Sequence, residues 1–155
     1  MNNMFVESGY VSLNKFGEQL CGDKVETISV DDDFTIVLAD GLGSGVKANI
    51  LSTLTSKIIG TMMASGLPIE DCVATIAETL PVCQTRGVAY STFTILQIHR
   101  GREAYLVQFD NPNVILLRGG HATPYEMEKK TICGKTIHES RISCELGDMF
   151  ILMSD

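Results

Sequence analysis

The segment Asp40-Gly41-Leu42-Gly43-Ser44-Gly45 limits the folds open to this chain more than any other stretch. Glycine reaches backbone conformations that a Cβ forbids, so glycines at alternate positions mark a tight turn. The turn is entered from an apolar run, Phe34-Thr35-Ile36-Val37-Leu38-Ala39, and left into a helical pattern. A buried strand therefore ends on a carboxylate, Asp40, where the chain swings into a helix. Two further acids hold comparable places. Asp23 follows Gly22 just before a β-rich run, and Asp155 follows the apolar Met149-Phe150-Ile151-Leu152-Met153.

The remaining elements follow from periodicity and punctuation. Phe5 to Leu13 alternates loosely and predicts a first strand, and Gly17 to Asp23 is a glycine-marked turn. Val25, Ile28 and Val30 mark a second strand. Asp31-Asp32-Asp33 is a solvated turn into the run at 34–39, so these two strands form a hairpin. It lacks the glycine and spaced glutamate of a calcium loop. Beyond Gly45 the period changes. Val46, Ile50, Leu54, Ile58 and Met62 recur every four residues with Leu51 beside them, which predicts an amphipathic helix of about five turns. Ser65-Gly66, with Pro68 beyond, should end it. Ile69, Val73, Ile76 and Leu80 predict a second helix, stopped by Pro81.

The rest is strand-like. Val88 to Ile98, Ala104 to Phe109 and Val114 to Leu117 are separated by the turns Arg100-Gly101-Arg102-Glu103 and Asp110-Asn111-Pro112-Asn113. Short strands are expected around Tyr125, at Thr131 to Cys133 and at Ile137 to Ile142. Leu146-Gly147-Asp148 turns the chain into the last apolar run. Strands, two helices, then many antiparallel strands define an α+β class. Two sheets face to face, with the helix pair covering one, is the simplest packing.

Composition narrows the function classes. The chain has 155 residues, 45% of them apolar, which suits one globular domain over 1–155. A net charge of −7 argues against nucleic acid or an anionic membrane surface as the main partner. It allows a phosphorylated protein if metals carry the local positive charge. No apolar stretch approaches the roughly 20 residues of a membrane span, and Met1-Asn2-Asn3-Met4 lacks the pattern of a signal peptide. Cys21, Cys72, Cys83, Cys133 and Cys144 have no zinc spacing, and read as free, mostly buried thiols in a reducing cytoplasm. His99, His121 and His138 are not spaced as ligands either.

Oxygen-only donors at three strand ends suit a hard cation such as magnesium or manganese. A carboxylate bridging two such ions holds them about 3.5–4 Å apart, and a water between them becomes a nucleophile near neutral pH. Asp40 is placed to bridge, with the Gly41 carbonyl free to turn toward a metal. Asp23 on the neighbouring hairpin strand reaches one side, and Asp155, on a central strand of the facing sheet, reaches the other. Taken singly, Asp-Gly and Gly-Asp are turn dipeptides and Ser154-Asp155 is a terminus; only their combination speaks for a metal. No Gly-Lys-Ser/Thr follows the glycines, so a nucleotide phosphate loop is not indicated.

Gly22-Asp23, the run Ala39-Asp40-Gly41-Leu42-Gly43-Ser44-Gly45-Val46-Lys47-Ala48, Tyr90-Ser91-Thr92 and Met153-Ser154-Asp155 occur in the order found in a known family. The chain resembles the metal-dependent serine/threonine phosphatases of the type 2C (PPM) family, and within it the bacterial branch typified by the sporulation stage II E phosphatase. The resemblance runs from about Gly17 to Asp155. It implies an αββα sandwich of two antiparallel sheets flanked by helices, with a site for two Mn2+ or Mg2+ ions at one end. It implies that Asp40 bridges both metals with the Gly41 carbonyl as a ligand, that Asp23 serves one metal and that Asp155 serves the other. Catalysis would rest on Asp40 and Asp23. Asp110-Asn111-Pro112 takes the place of a turn near the family's active site, and Glu18 is a weaker candidate. The family's aspartate pair before a late strand and the glycine after the last aspartate are absent. The resemblance therefore implies a truncated domain with its C-terminal part missing.

The expected function is a cytoplasmic phosphoserine/phosphothreonine protein phosphatase. It would act on a phosphorylated regulator in a bacterial signalling or sigma-factor pathway, with a homodimer compatible. The alternative is a non-catalytic regulatory or partner-binding domain that keeps the fold with an incomplete metal site.

Overall fold

The computed structural model describes residues 4–41, 43, 45–79 and 91–155. Strands β1 (Asp23–Val30) and β2 (Asp33–Gly41) form the expected hairpin. Helices α1 (Gly45–Ala64) and α2 (Ile69–Thr79) follow. Strands β3 (Ser91–His99), β4 (Glu103–Phe109), β5 (Ile115–Arg118), β6 (His121–Ala122), β7 (Glu128–Ile132), β8 (Lys135–Ser143) and β9 (Met149–Ile151) complete the order. They make two antiparallel sheets, one of six strands in the order β1-β2-β3-β4-β8-β7 and one of three in the order β6-β5-β9. The class is α+β, as the element order predicted, and both described helices lie on the six-stranded sheet.

Two cores hold the layers together. Val37, Phe93, Ile95, Val107, Phe109 and Ile137 of the large sheet pack against Leu51, Ile59, Met63, Ile69, Val73 and Ile76 of the helices. Between the sheets, Leu96, Ile98, Ala104, Leu106 and Ile142 meet Val114 and Leu116. Burying each of the larger side chains contributes roughly 1.5–3 kcal/mol. Alternation along β3 supplies both cores, because successive residues point to opposite faces.

Helix α1 has its predicted bounds but only part of its predicted face. The buried residues are Ala48, Leu51, Ser52, Thr55, Ser56, Ile59, Gly60 and Met63. The first half of the four-residue stripe turns outward, with Val46, Ile50 and Leu54 exposed, while Ile58 and Met62 pack partly buried against the core and Leu51 is buried. Small residues win because they let the helix lie low on the sheet. At Gly60 an added Cβ would sit 3.0 Å from Ile28 Cδ1. Two of the buried hydroxyls are satisfied within the helix, since Ser52 Oγ and Ser56 Oγ each donate to the carbonyl three residues back at 3.1 Å, whereas the buried Thr55 Oγ1 has no partner among the described residues. The helix ends as predicted. Gly66 (φ 81°) sends its N–H to Met63 O at 3.0 Å, and Leu67 N–H reaches Met62 O at 3.0 Å, the two bonds of a Schellman cap.

Two strand expectations fail. Residues 5–13 are irregular, with Phe5, Tyr10, Val11 and Leu13 exposed, so loose alternation there has no ladder partner to fix it. Tyr125 lies outside any strand because its hydroxyl is used in a turn, donating to Val114 O at 2.6 Å and accepting from Gln108 Nε2 at 3.2 Å. The expected second-helix stop at Leu80-Pro81 and the strand start at 88–90 lie outside the described residues. The thiols also differ from expectation. Cys72 is buried, its thiol pushed up to about 11 chiefly by desolvation. Cys21 and Cys144 are half-buried and Cys133 is exposed, all free, and Cys83 lies outside the described residues.

Candidate metal centre

The β1–β2–β3 register sets the site. Asp23 pairs with Asp40, and Asp40 pairs with Thr92, so three polar side chains share one face in a row across the end of the sheet. Asp40 and Gly41 are the last residues of β2, and the next described residue after the glycine turn, Gly45, opens α1. Gly41 is locked between neighbours. Its N–H donates to Gly22 O at 2.9 Å, and an added Cβ would lie 1.9 Å from Ala48 O. Only glycine lets the strand end pass this close to the first turns of α1. Gly43 (φ 93°) completes the turn in a left-handed conformation.

Asp155 reaches the same end from the other sheet. Strand β9 is an edge strand of the small sheet among the described residues, not a central one, and Asp155 lies beyond its end. The segment after β9 crosses to β1, where Ser154 Oγ donates to Asp23 Oδ2 at 2.6 Å. The Asp40 carboxyl is pushed up to about 7. Burial contributes most, then the charge and hydrogen bond of Asp23, then the charge of Asp155, while a backbone hydrogen bond from Asp155 works the other way. Asp23 and Asp155 both act on the Asp40 carboxyl, Asp23 the more strongly in raising it.

The donors fit a hard divalent cation in kind. They are all oxygen, and burial together with the charges of Asp23 and Asp155 raises the Asp40 carboxyl, an environment that a divalent cation would relieve. In arrangement they are open. Among the described residues, no three His, Cys, Asp or Glu side chains gather closely enough to hold an ion between them.

The other candidates separate. Glu18 lies beside Gly45, its Oε2 3.1 Å from where a Cβ would project. There its carboxylate faces the N-terminus of α1, whose first turn has no acid of its own. Asn111 folds back over the sheet. Thr92 Oγ1 donates to its Oδ1 at 2.5 Å, and its Nδ2 donates to Thr94 Oγ1 at 3.0 Å and Leu38 O at 3.4 Å. Ser154 and Asn111 were the contacts hardest to read from the chain, though both sit inside motifs that stood out: the Ser-Asp pair and the Asp-Asn-Pro turn. A cleft of about 440 Å3 lined by Asp33, Gln97, His99, Tyr105 and Glu139 lies at the opposite end of β2 and contains none of these groups.

The family model for stage II sporulation protein E (SpoIIE) matches residues 30–155, and the chain belongs to that family, the SpoIIE-like branch of the type 2C phosphatases. No curated protein matches it as a sequence. Solved structures share its fold. The type 2C phosphatase domain of SpoIIE from Bacillus subtilis, solved with a fragment of its regulatory domain, is 20% identical with a TM-score of 0.76, over 94% of this chain and 43% of that one. RsbX, solved in complex with magnesium, is 23% identical with a TM-score of 0.70, over 92% of this chain and 70% of that one. A structure from the bacterial stressosome, a modular system adapted to control secondary messenger signalling, is 17% identical with a TM-score of 0.75, over 94% and 74%. No helix among the described residues is long and apolar enough to cross a membrane.

Proposed function

We propose that the protein is a metal-dependent phosphoserine/phosphothreonine protein phosphatase, with Asp40 as the bridging ligand, Asp23 and Asp155 as the flanking ligands and the Gly41 carbonyl beside them. The observation that carries this reading is the facing of Asp23 and Asp40 on adjacent strands, with Asp155 delivered to the same end by the other sheet. When bound, Mn2+ or Mg2+ supplies an acidified water and positive charge against the phosphate oxygens.

The chain's own residues do the rest. Asp40, its carboxyl pushed up to about 7 by burial, Asp23 and Asp155, would hold the ion and would shed its proton in doing so. Ser154 fixes one oxygen of Asp23, leaving the other to turn toward Asp40. Gly41 keeps the backbone at the strand end close to α1, so Asp40 cannot retreat. The magnesium bound to RsbX supports the choice of cation. A phosphorylated bacterial regulator of a sigma-factor pathway is the proposed substrate, the cytoplasm the proposed compartment, and residues 1–155 one domain of the αββα architecture.

The test is manganese-dependent hydrolysis of p-nitrophenyl phosphate and of a phosphoserine peptide. Asp40→Asn should abolish turnover in a protein that keeps its circular dichroism spectrum. One observation favours a second reading, a partner-binding domain without catalysis: the three carboxylates do not close on one point. A folded wild-type protein that hydrolyses neither substrate with manganese present would decide for that alternative.

A further inference from the structure

We infer that Asn111 is a positioning residue, which draws the hydroxyl proton of Thr92 away from Asp40 and so keeps the Asp40 carboxylate open to cations. The inference rests on the metal reading above and concerns residues to which that reading gives no part.

Thr92 is the direct cross-strand neighbour of Asp40. Side chains of such partners stand with Cβ atoms about 4.5–5.5 Å apart on one face, so the Thr92 hydroxyl is one rotamer from the carboxylate. A threonine has one proton to donate, and a carboxylate is a stronger acceptor than an amide. Left alone, that proton would go to Asp40. In the structure it goes to Asn111 Oδ1, at 2.5 Å.

The amide is held so that its oxygen faces Thr92. Its Nδ2 donates to Thr94 Oγ1 at 3.0 Å and to Leu38 O at 3.4 Å. The Leu38 carbonyl can only accept, so the amide nitrogen must lie on that side and the oxygen on the other. The backbone is set as well. Asp110 takes a left-handed conformation (φ 53°), and Pro112 confines the residue before it to extended backbone. Asn111 thus spans β4, β3 and β2, and its fixed acceptor decides where the Thr92 proton points. With that proton held by Asn111, a cation approaching Asp40 has one hydrogen bond fewer to displace.

The test is Mn2+ affinity by isothermal titration calorimetry, beside melting temperature, for wild type, Asn111→Ala, Thr92→Val and the double variant. Losing the acceptor should weaken Mn2+ binding about tenfold, the equivalent of one charge-assisted hydrogen bond. Thr92→Val should bind as wild type does, since no hydroxyl remains to compete. The double variant should recover the affinity that Asn111→Ala loses while staying as thermally destabilised, because the bonds to Thr94 and Leu38 are still gone. A double variant no tighter than Asn111→Ala would overturn the inference and leave Asn111 a strut. A tenfold loss in Thr92→Val alone would overturn it too. A wild type that binds no Mn2+ would remove the metal reading itself, a failure distinct from both.

Discussion

Ser154 Oγ donates to Asp23 Oδ2 across 2.6 Å, joining residues 131 positions apart. The bond ties the segment after β9 to the first residue of β1, and so closes the two sheets at the end where the acids lie. Ser154→Ala removes it and leaves the Asp23 oxygen to water. The expected cost is about 0.5–1.5 kcal/mol of stability. Mn2+ affinity should fall several-fold, because Asp23 gains freedom to rotate away. Calorimetric titration and a urea melt measure the two effects separately.

The Asp40 carboxyl carries a linkage whose sign can be stated. Its value is pushed from the ordinary 3.8 to about 7 by burial, by Asp23 and by Asp155. The folded metal-free protein therefore keeps a proton that the unfolded chain has lost over this window. Stability is full below the unfolded value and declines as pH rises toward 7, because the unfolded state binds fewer protons there. Asp40→Asn carries no such charge. The metal-free variant should melt at the wild-type temperature at acid pH and a few degrees above it at about pH 8. The same proton competes with metal, so wild-type Mn2+ affinity should drop about tenfold per pH unit below 7. A metal-free wild type whose melting temperature is flat across this range would contradict the linkage.

Gly41 and Gly43 belong to one turn and should respond differently. A Cβ on Gly41 would lie 1.9 Å from Ala48 O and 2.6 Å from its carbonyl carbon, backbone atoms of α1 that have nowhere to go. Gly41→Ala must lift the helix from the sheet, with an expected cost of about 3 kcal/mol or more. A Cβ on Gly43 meets nothing within 4 Å, so Gly43→Ala bears only the left-handed strain of about 1–2 kcal/mol. Denaturant midpoints should rank wild type above Gly43→Ala and Gly43→Ala above Gly41→Ala.

Local signals made much of this fold legible. The glycine turn, the three-acid turn and the Gly66 stop depend on backbone conformations that few residues accept, and each falls where the sequence puts it. Asp23 and Asp40 could be paired from the chain alone, because one short turn fixes a hairpin's register. What could not be read depends on neighbours far along the chain. The Ser154 bond needs the second sheet, and the Asn111 bonds need three strands in register. Residues 5–13 alternate weakly and have no strand beside them to make that alternation binding. For α1, counting large apolar residues misplaced the face at Val46, Ile50 and Leu54 though not at Leu51, Ile58 and Met62, since the contact with the sheet also rewards small side chains, as with β1 at Gly60.

That choice of face is directly measurable. Ile59 is fully buried under α1, whereas Ile50 is 48% exposed on the outer side. The two are alike in chemistry and in helix propensity. Ile59→Ala opens a cavity in the core shared by the sheet and the two helices and should cost about 2–5 kcal/mol. Ile50→Ala leaves only exposed surface and gains a better helix former, so its change should stay within about 0.5 kcal/mol. Equal losses at the two positions in urea unfolding would mean that α1 is rotated from the position described and that the four-residue stripe faces the sheet after all.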